Sequence, residues 1–525
     1  MRAAAATSST SDPHTAPTRR LSGPGPSSYG AASAAAPPGS PAPARVTLVL
    51  ATACTLVAMM QSLIAPLLTI LPPRLDTTPS AFTWTVTATL LAGAVATPIA
   101  GRLGDMLGKK RVIVGLMVPM LIGCAVSAVS TDLTTMVIGR SLQGMAIGAI
   151  PVAVALLQDV VPPQRRATAI ALASASMGIG GGLALPLAAG FAQFFDWRLL
   201  FWMFALLGAV MLVLVATLVP AGARPAPGQR FDGPGAVLMA VGLVSLLIGV
   251  SQGAAWGWAS WETIGAFALA VATLTAWALW ELRTAQPLVD LRTAVTPVVL
   301  LTNTASIFAG MSMYITLVAT PQLLQLPAGS GPGLGVSLLA AGLVMLPGGV
   351  IQMLLAPVGG RLINAKGPKI ALIAGLGVIA LGYGSMQAFL ASAIGLMVAH
   401  MIIKGGIGIA YGAMPALIMR SVAPSATGSA NSFNTLMRSI GSSTGSAIVG
   451  AVLAAVTMSI GGEAVMSEAG FRISYLIGFG VAIVAVAIAC FIPFRFGPQG
   501  ATGAAGTAGT AGAVAGAPAI ASKRT

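Results

Sequence analysis

The sequence predicts an all-α membrane protein: two parallel six-helix bundles plus two inserted central helices, fourteen transmembrane helices in all. Three observations predict it. The 525-residue chain is 56% hydrophobic and 7% charged, with a mean hydropathy of +0.90, whereas a soluble domain is about a quarter charged. Such a chain cannot cover its surface with polar groups, so lipid must be part of its solvent. Second, it contains fourteen apolar runs near the roughly 20 residues that a helix needs to span a bilayer. Third, one charged motif is written twice, as GRLGDMLGKKR from Gly101 to Arg111 and as GRLINAKGPK from Gly360 to Lys369. Both follow G-R-L-x-[D/N]-x-x-G-x-K.

Residues 1–44, rich in Ala, Pro, Ser and Gly, read as a disordered N-terminal tail without an apolar h-region. Residues 495–525 read as a second low-complexity tail. Between them the predicted spans are 46–71, 82–101, 112–130, 134–159, 167–193, 199–219, 233–253, 262–282, 296–322, 334–358, 369–388, 391–417, 430–458 and 473–494. They must be helices, because lipid satisfies no backbone groups and no period-2 barrel pattern is present. The implied organisation is a first bundle over 45–220, a linker with two extra helices over 221–295, and a second bundle over 296–494. An even number of spans puts both tails on one side. That side carries 21 of the 27 Lys and Arg residues, the opposite side three (Arg74, Arg198, Arg472), and the spans three (Arg140, Lys404, Arg438). The positive-inside rule then makes both tails cytoplasmic.

The charged motif links spans 2 and 3, and its copy links spans 10 and 11. A second pair repeats the duplication. RSLQGMAIGAIP runs from Arg140 to Pro151, and KGGIGIAYGAMP from Lys404 to Pro415. Arg140 aligns with Lys404, Gly144 with Gly408, Gly148 with Gly412 and Pro151 with Pro415. Parallel-repeat transporters are built this way, with a site between the halves. Positive-inside topology accounts for the Lys and Arg of the motif. It does not account for Asp105, nor for glycines at fixed spacing. Gly101 and Gly108 suit a tight turn, and Asp105 is placed to pair with Arg102 or Lys109 or to cap a neighbouring helix. Gly101, Arg102, Asp105, Gly108, Lys109 and Arg111 are therefore the candidate gate.

Other chemistry is excluded. The net charge of +15 is spread over short loops with no basic stripe interleaved with aromatics, which argues against nucleic acid. Cys54, Cys124 and Cys490 sit in apolar runs, and two histidines, His14 and His400, cannot form a metal cluster. No nucleophile–base arrangement and no phosphate loop is present. The expectation is no enzyme, no cofactor and no metal.

GRLGDMLGKKR, IGRSLQGMAIGA, ELRTAQPLVDLR and NSFNTLMRSIGSSTGSAIVGAVL together resemble the major facilitator superfamily, specifically its fourteen-spanner drug:proton antiporter branch, over residues 46–494. The fifth-helix antiporter pattern is present in part, through Gly181, Pro186 and Gly190, with Leu185 where Gly is usual and Ala189 as a further departure. The branch's first-helix aspartate is absent from MMQSLIAPLLTILPPRL. The resemblance implies a secondary active transporter of a bacterial inner membrane, multi-pass and monomeric, working by alternating access. It would export small lipophilic molecules such as drugs, antibiotics or secondary metabolites, in exchange for protons. The alternative is a proton-coupled uptake carrier of the same fold.

Arg140 and Lys404 fall within spans, where a charge costs at least about 2.5–3.5 kcal/mol and usually marks function. Each shares a face with glycines at i+4 and i+8, so it points into its bundle. With Gln143 and with His400, one turn before Lys404, they are the candidate central cavity and coupling groups. Arg438 reads as snorkelling near a helix end. Asn303, Met311 and Tyr314 are candidate cavity lining, although core packing also explains them. No Asp or Glu lies mid-span, so Asp105, Asp159 or His400 would have to carry protons. A cavity with cations and no acid is expected to take a neutral or anionic lipophile.

Overall fold

The computed structural model describes residues 43–493 apart from 65–66, 68–70, 83, 224–227, 229, 329–332 and 461–462. The predicted disordered tails lie outside these residues except at their inner edge, where the first helix begins at Pro43. Fourteen long helices follow: α1 Pro43–Ser62, α2 Trp84–Leu107, α3 Lys109–Ala128, α4 Leu133–Val160, α5 Pro163–Phe194, α6 Trp197–Leu218, α7 Gly233–Trp256, α8 Trp261–Arg283, α9 Pro297–Gln325, α10 Leu338–Lys366, α11 Pro368–Met386, α12 Ala393–Met419, α13 Thr427–Ala455 and α14 Glu468–Cys490. Thirteen are long and apolar enough to cross a membrane. The other, α13, is long but rich in Ser, Thr and Asn. It packs along α9, α2 and α7 and turns its polar side inward, which is where lipid-averse groups are tolerated. This is a multi-pass membrane protein.

Helix starts are set locally. Asp132, Asp196, Asp232, Ser260, Ser337, Ser392 and Ser467 each accept a backbone N–H of the first turn they precede. Asp132 also accepts the Thr135 hydroxyl at 2.7 Å, and these bonds hold its carboxyl below the usual range.

Several predicted boundaries move. The first span stops at Ser62, not 71, and the chain passes through a short 3₁₀ turn, Pro72–Leu75, whose prolines supply no helix donors. The second span runs on to Leu107, so Arg102 and Asp105 stand on a helix and Gly108 alone makes the turn, at φ 98°. Only glycine adopts that conformation cheaply. Gly367 repeats the turn in the second copy at φ 89°. The span predicted to reach residue 458 ends at Ala455, and a two-stranded ribbon follows, β1 Thr457–Ile460 against β2 Glu463–Met466.

One apolar core forms among α1–α6, joined by Met419 of α12, and another among α9–α14, joined by Ala167 of α5. A third joins α7 and α8 to Ala94 of α2 and Leu436 of α13. The inserted hairpin thus lies along the seam where the halves meet at α2 and α13. The duplication survives in the packing. A Cβ on Gly144 would stand 3.0 Å from the Thr89 carbonyl carbon of α2, and one on Gly408 3.1 Å from the Gln352 carbonyl carbon of α10. Both glycines let a cation-bearing helix approach its partner's backbone.

Candidate functional site: a gate and a central cavity

The ends of α2 and α10 and the beginnings of α5 and α13 meet at one end of the molecule. The first turn of α13 has no cap of its own, because Ala426 precedes it. Its free N–H groups are met by Asp105 from the other half, which accepts Gly428 N at 3.0 Å and Ser429 N at 2.8 Å. A carboxylate at a helix N-terminus satisfies orphan donors and complements the helix dipole. Gly101 makes the approach possible, since a Cβ there would stand 2.7 Å from the Gly428 carbonyl oxygen. Lys109 does not pair with Asp105. It bonds Asp159 at the end of α4 at 2.7 Å and reaches Thr427 Oγ1 at 3.0 Å. Arg102 donates to the Arg230 carbonyl at 3.4 Å, linking the gate to the segment that enters α7. Arg111 is exposed and has no polar partner among the described residues. In the second copy Gly360 lies against Thr168 of α5, and Asn364 reaches the Gln164 carbonyl at 3.5 Å.

Away from this sealed end a cavity of about 470 Å³ opens between the halves, a size typical of small-molecule sites. It runs from mid-helix residues to exposed Gln325 at the last turn of α9. Ile64, Val86, Leu90, Ile147, Leu185 and Leu317 make its apolar wall. Serines of α13 and two cations, Lys404 and Arg438, supply its polar side, and no Asp or Glu lines it among the described residues.

A family model described as the Major Facilitator Superfamily matches residues 50–446. The chain belongs to the major facilitator superfamily. It is 30% identical to an uncharacterized MFS-type transporter of Mycobacterium tuberculosis strain ATCC 25618 / H37Rv, over 75% of this chain and 57% of that protein. The chain thus spans little more than half the length of that relative. It is 26% identical to the multidrug transporter protein MdtP of Bacillus subtilis strain 168, over 71% of this chain and 69% of that one. The human organic anion transporter MFSD10 shares the fold, with a TM-score of 0.61 at 14% identity, over 86% of this chain and all of that structure.

Within this major facilitator protein the predicted cavity cations separate. Lys404 lines the cavity, is 4% exposed and has no hydrogen-bond or ion-pair partner among the described residues. Arg140 does not line it. Arg140 lies wholly inside the first half, donating to the Met60 carbonyl at 2.9 Å and to Gln143 Oε1 at 2.5 Å. Gln143 passes the link to Ser127 at 3.0 Å. The Nε and Nη2 of Arg140 have no partner among the described residues. His400 is also off the cavity. Its Nδ1 meets Thr316 Oγ1 at 3.2 Å, and a chain of hydroxyls continues to Thr320 at 3.1 Å and Tyr475 at 3.2 Å.

Two expectations are corrected. Arg438 does not snorkel. It sits well inside α13, 8% exposed, with its guanidinium 4.8 Å from the Tyr411 ring centroid, an attractive cation–π arrangement. Of the three candidate lining residues only Tyr314 faces the cavity. Asn303 accepts from Asn434 at 2.9 Å to tie α9 to α13, and Met311 packs behind Gly445. The α5 pattern is divided. Gly181 lines the cavity, Pro186 packs on Gly342 of α10, and a Cβ on Gly190 would meet nothing within 4 Å. With Gly182 so near Gly349 that a Cβ on it would stand 3.3 Å from the Gly349 Cα, much of the pattern is a close-packing seam between the halves.

Sequence reasoning missed Glu281, at the last turn of α8. It is 2% exposed, accepts Trp277 Nε1 at 2.9 Å and Val289 N at 3.4 Å, and leaves Oε2 unpartnered among the described residues. Beside it Asp232, the cap of α7, accepts Trp280 Nε1 at 3.0 Å. These bonds clip the base of the inserted hairpin. Glu281→Gln keeps the accepting oxygen and should melt within a degree or two of the parent, about the effect of a neutral exchange. Glu281→Ala strands two buried donors and should cost about 1–3 kcal/mol, read as a lower apparent Tm of the purified protein.

Proposed function

We propose that the chain is a secondary active transporter, not an enzyme, that exports small lipophilic molecules by alternating access. The observation that carries this reading is the asymmetry of the central space. One end is sealed by contacts between the halves, Asp105 on the first turn of α13 foremost. The other end opens to a cavity of about 470 Å³. Breaking the first set of contacts and closing the second end moves the cavity's access across the membrane. The distribution of Lys and Arg supports a cytoplasmic position for the sealed end and both termini in a bacterial cell. The cavity then faces outward, ready to release a lipophile.

Export rather than uptake is supported by the partial fifth-helix pattern and by relatives named as a multidrug transporter and a multidrug resistance protein. Membership of the fourteen-spanner branch is supported by α7 and α8 at the seam and by ELRTAQPLVDLR after them. Proton exchange has three carriers to choose from. Asp105 and Asp159 are both engaged at the gate, and His400 heads the hydroxyl chain through Thr316. Inverted vesicles decide the reading. A panel of lipophilic compounds should accumulate in vesicles containing the protein when a proton gradient is imposed, and accumulation should collapse with the gradient. Accumulation only in right-side-out vesicles would make the protein an uptake carrier.

A further inference from the structure

The cavity holds two positive side chains, and among the described residues neither has an acidic partner. Lys404 is 4% exposed, faces the cavity, and makes no hydrogen bond or ion pair among the described residues. Tyr411 lies seven residues further along α12 and shares its face. Arg438 stacks on that tyrosine from α13 and bonds weakly to Thr435 at 3.4 Å. Thus Lys404, Tyr411 and Arg438 form one wall. Ile64, Val86, Leu90 and Leu317 supply apolar lining of the same cavity. A buried ammonium without an acceptor is costly, and the cost is relieved when a ligand brings a negative charge. A guanidinium adds flat, paired donors that suit a carboxylate or sulfonate. A cationic ligand would meet two like charges and no carboxylate.

We propose that the cavity is a binding site for an anionic amphiphile, whose carboxylate or sulfonate is held by Lys404 and Arg438 and whose apolar body lies on the cavity's apolar lining. The assignment rests on the export reading for its physiological meaning, but not for its binding chemistry. It differs from a neutral-lipophile site in requiring charge. It also places the recognition cations in the second half alone, since Arg140 is spent on the Met60 carbonyl and Gln143.

The test uses the full chain in phosphatidylcholine nanodiscs and three probes that share one dansyl-aminopentyl body and differ in the polar end group: dansyl-aminohexanoate, its neutral carboxamide dansyl-aminohexanamide, and dansyl-cadaverine. Fluorescence is corrected for empty discs. The anion should bind at least about tenfold more tightly than the neutral probe, and the cation most weakly. In Lys404→Gln and in Arg438→Gln the anion-to-neutral ratio should fall about tenfold, and Lys404→Arg should restore most of it. Gel filtration and neutral-probe binding report whether each variant is folded. Equal affinities for the three probes, tightest binding of the cation, or an unchanged ratio in both Gln variants would overturn the proposal. Anionic phospholipid offers the same chemistry, so the titration is repeated with phosphatidylglycerol in the disc. Retained anion binding there supports a free amphiphile, and its loss overturns that occupant in favour of a lipid headgroup. Failure of the export reading shows separately, as charge-selective binding with no transport in vesicles.

Discussion

Asp105→Asn should cut transport by about tenfold or more while leaving the yield of folded protein unchanged. The carboxylate accepts two backbone N–H groups at the start of α13, at 3.0 and 2.8 Å. An asparagine has one oxygen to offer, and its amide turns a donor toward the second N–H. Bonds to a charged group contribute about 1.5–3 kcal/mol each, which is about ten- to a hundredfold in the balance between gate-closed and gate-open states. The fold does not depend on this contact, because each half keeps its own apolar core. Uptake into inverted vesicles and the monodisperse fraction in gel filtration are measured on one preparation. Unchanged transport would reduce Asp105 to a topology signal. Lost yield would make it a structural cap.

Arg140→Met should cut transport by about tenfold or more without lowering thermal stability. The guanidinium is fully buried, finds no carboxylate among the described residues and leaves two nitrogens unpartnered. Replacing a poorly compensated buried charge with an apolar residue of similar length is often neutral or stabilising. A protein selected for stability alone would not keep this arginine. Its bond to the Met60 carbonyl fastens the last turn of α1 to α4, beside Gln61 and Ser62, which line the cavity. Without that bond the cavity wall loses its anchor, and the effect should appear as transport reduced by about tenfold or more at equal or higher apparent Tm. A lower Tm together with near-normal transport would make Arg140 structural.

Much of the fold was legible in the chain. Every predicted span corresponds to a helix, because apolar length and helix-starting side chains act within a few residues of where they are written. The paired motifs announced a duplicated molecule, and the structure shows the pairing as equivalent glycines, Gly144 and Gly408, pressed on equivalent carbonyls. Boundaries were less legible where prolines or short turns intervene. The helix that failed the apolar criterion, α13, is the one whose polar residues face inward rather than toward lipid.

The site divides in the same way. Sequence by itself determined that there is a charged motif, that it is written twice, and that cations stand within the spans. It could not name the partner of Asp105, because that partner is the backbone N–H of Gly428 and Ser429, a group that every non-proline residue carries, more than 300 positions away. Nor could it decide which cations face the cavity. Arg140 and Lys404 are equivalent in the repeat, yet one is turned to the Met60 carbonyl inside its own half and the other is left to the cavity. Arg438, which read as a helix-end residue, lies against Tyr411 in the cavity wall. Helix rotation and the docking of one half on the other made those choices. Both are set by long-range packing, which leaves no periodic trace in any single helix.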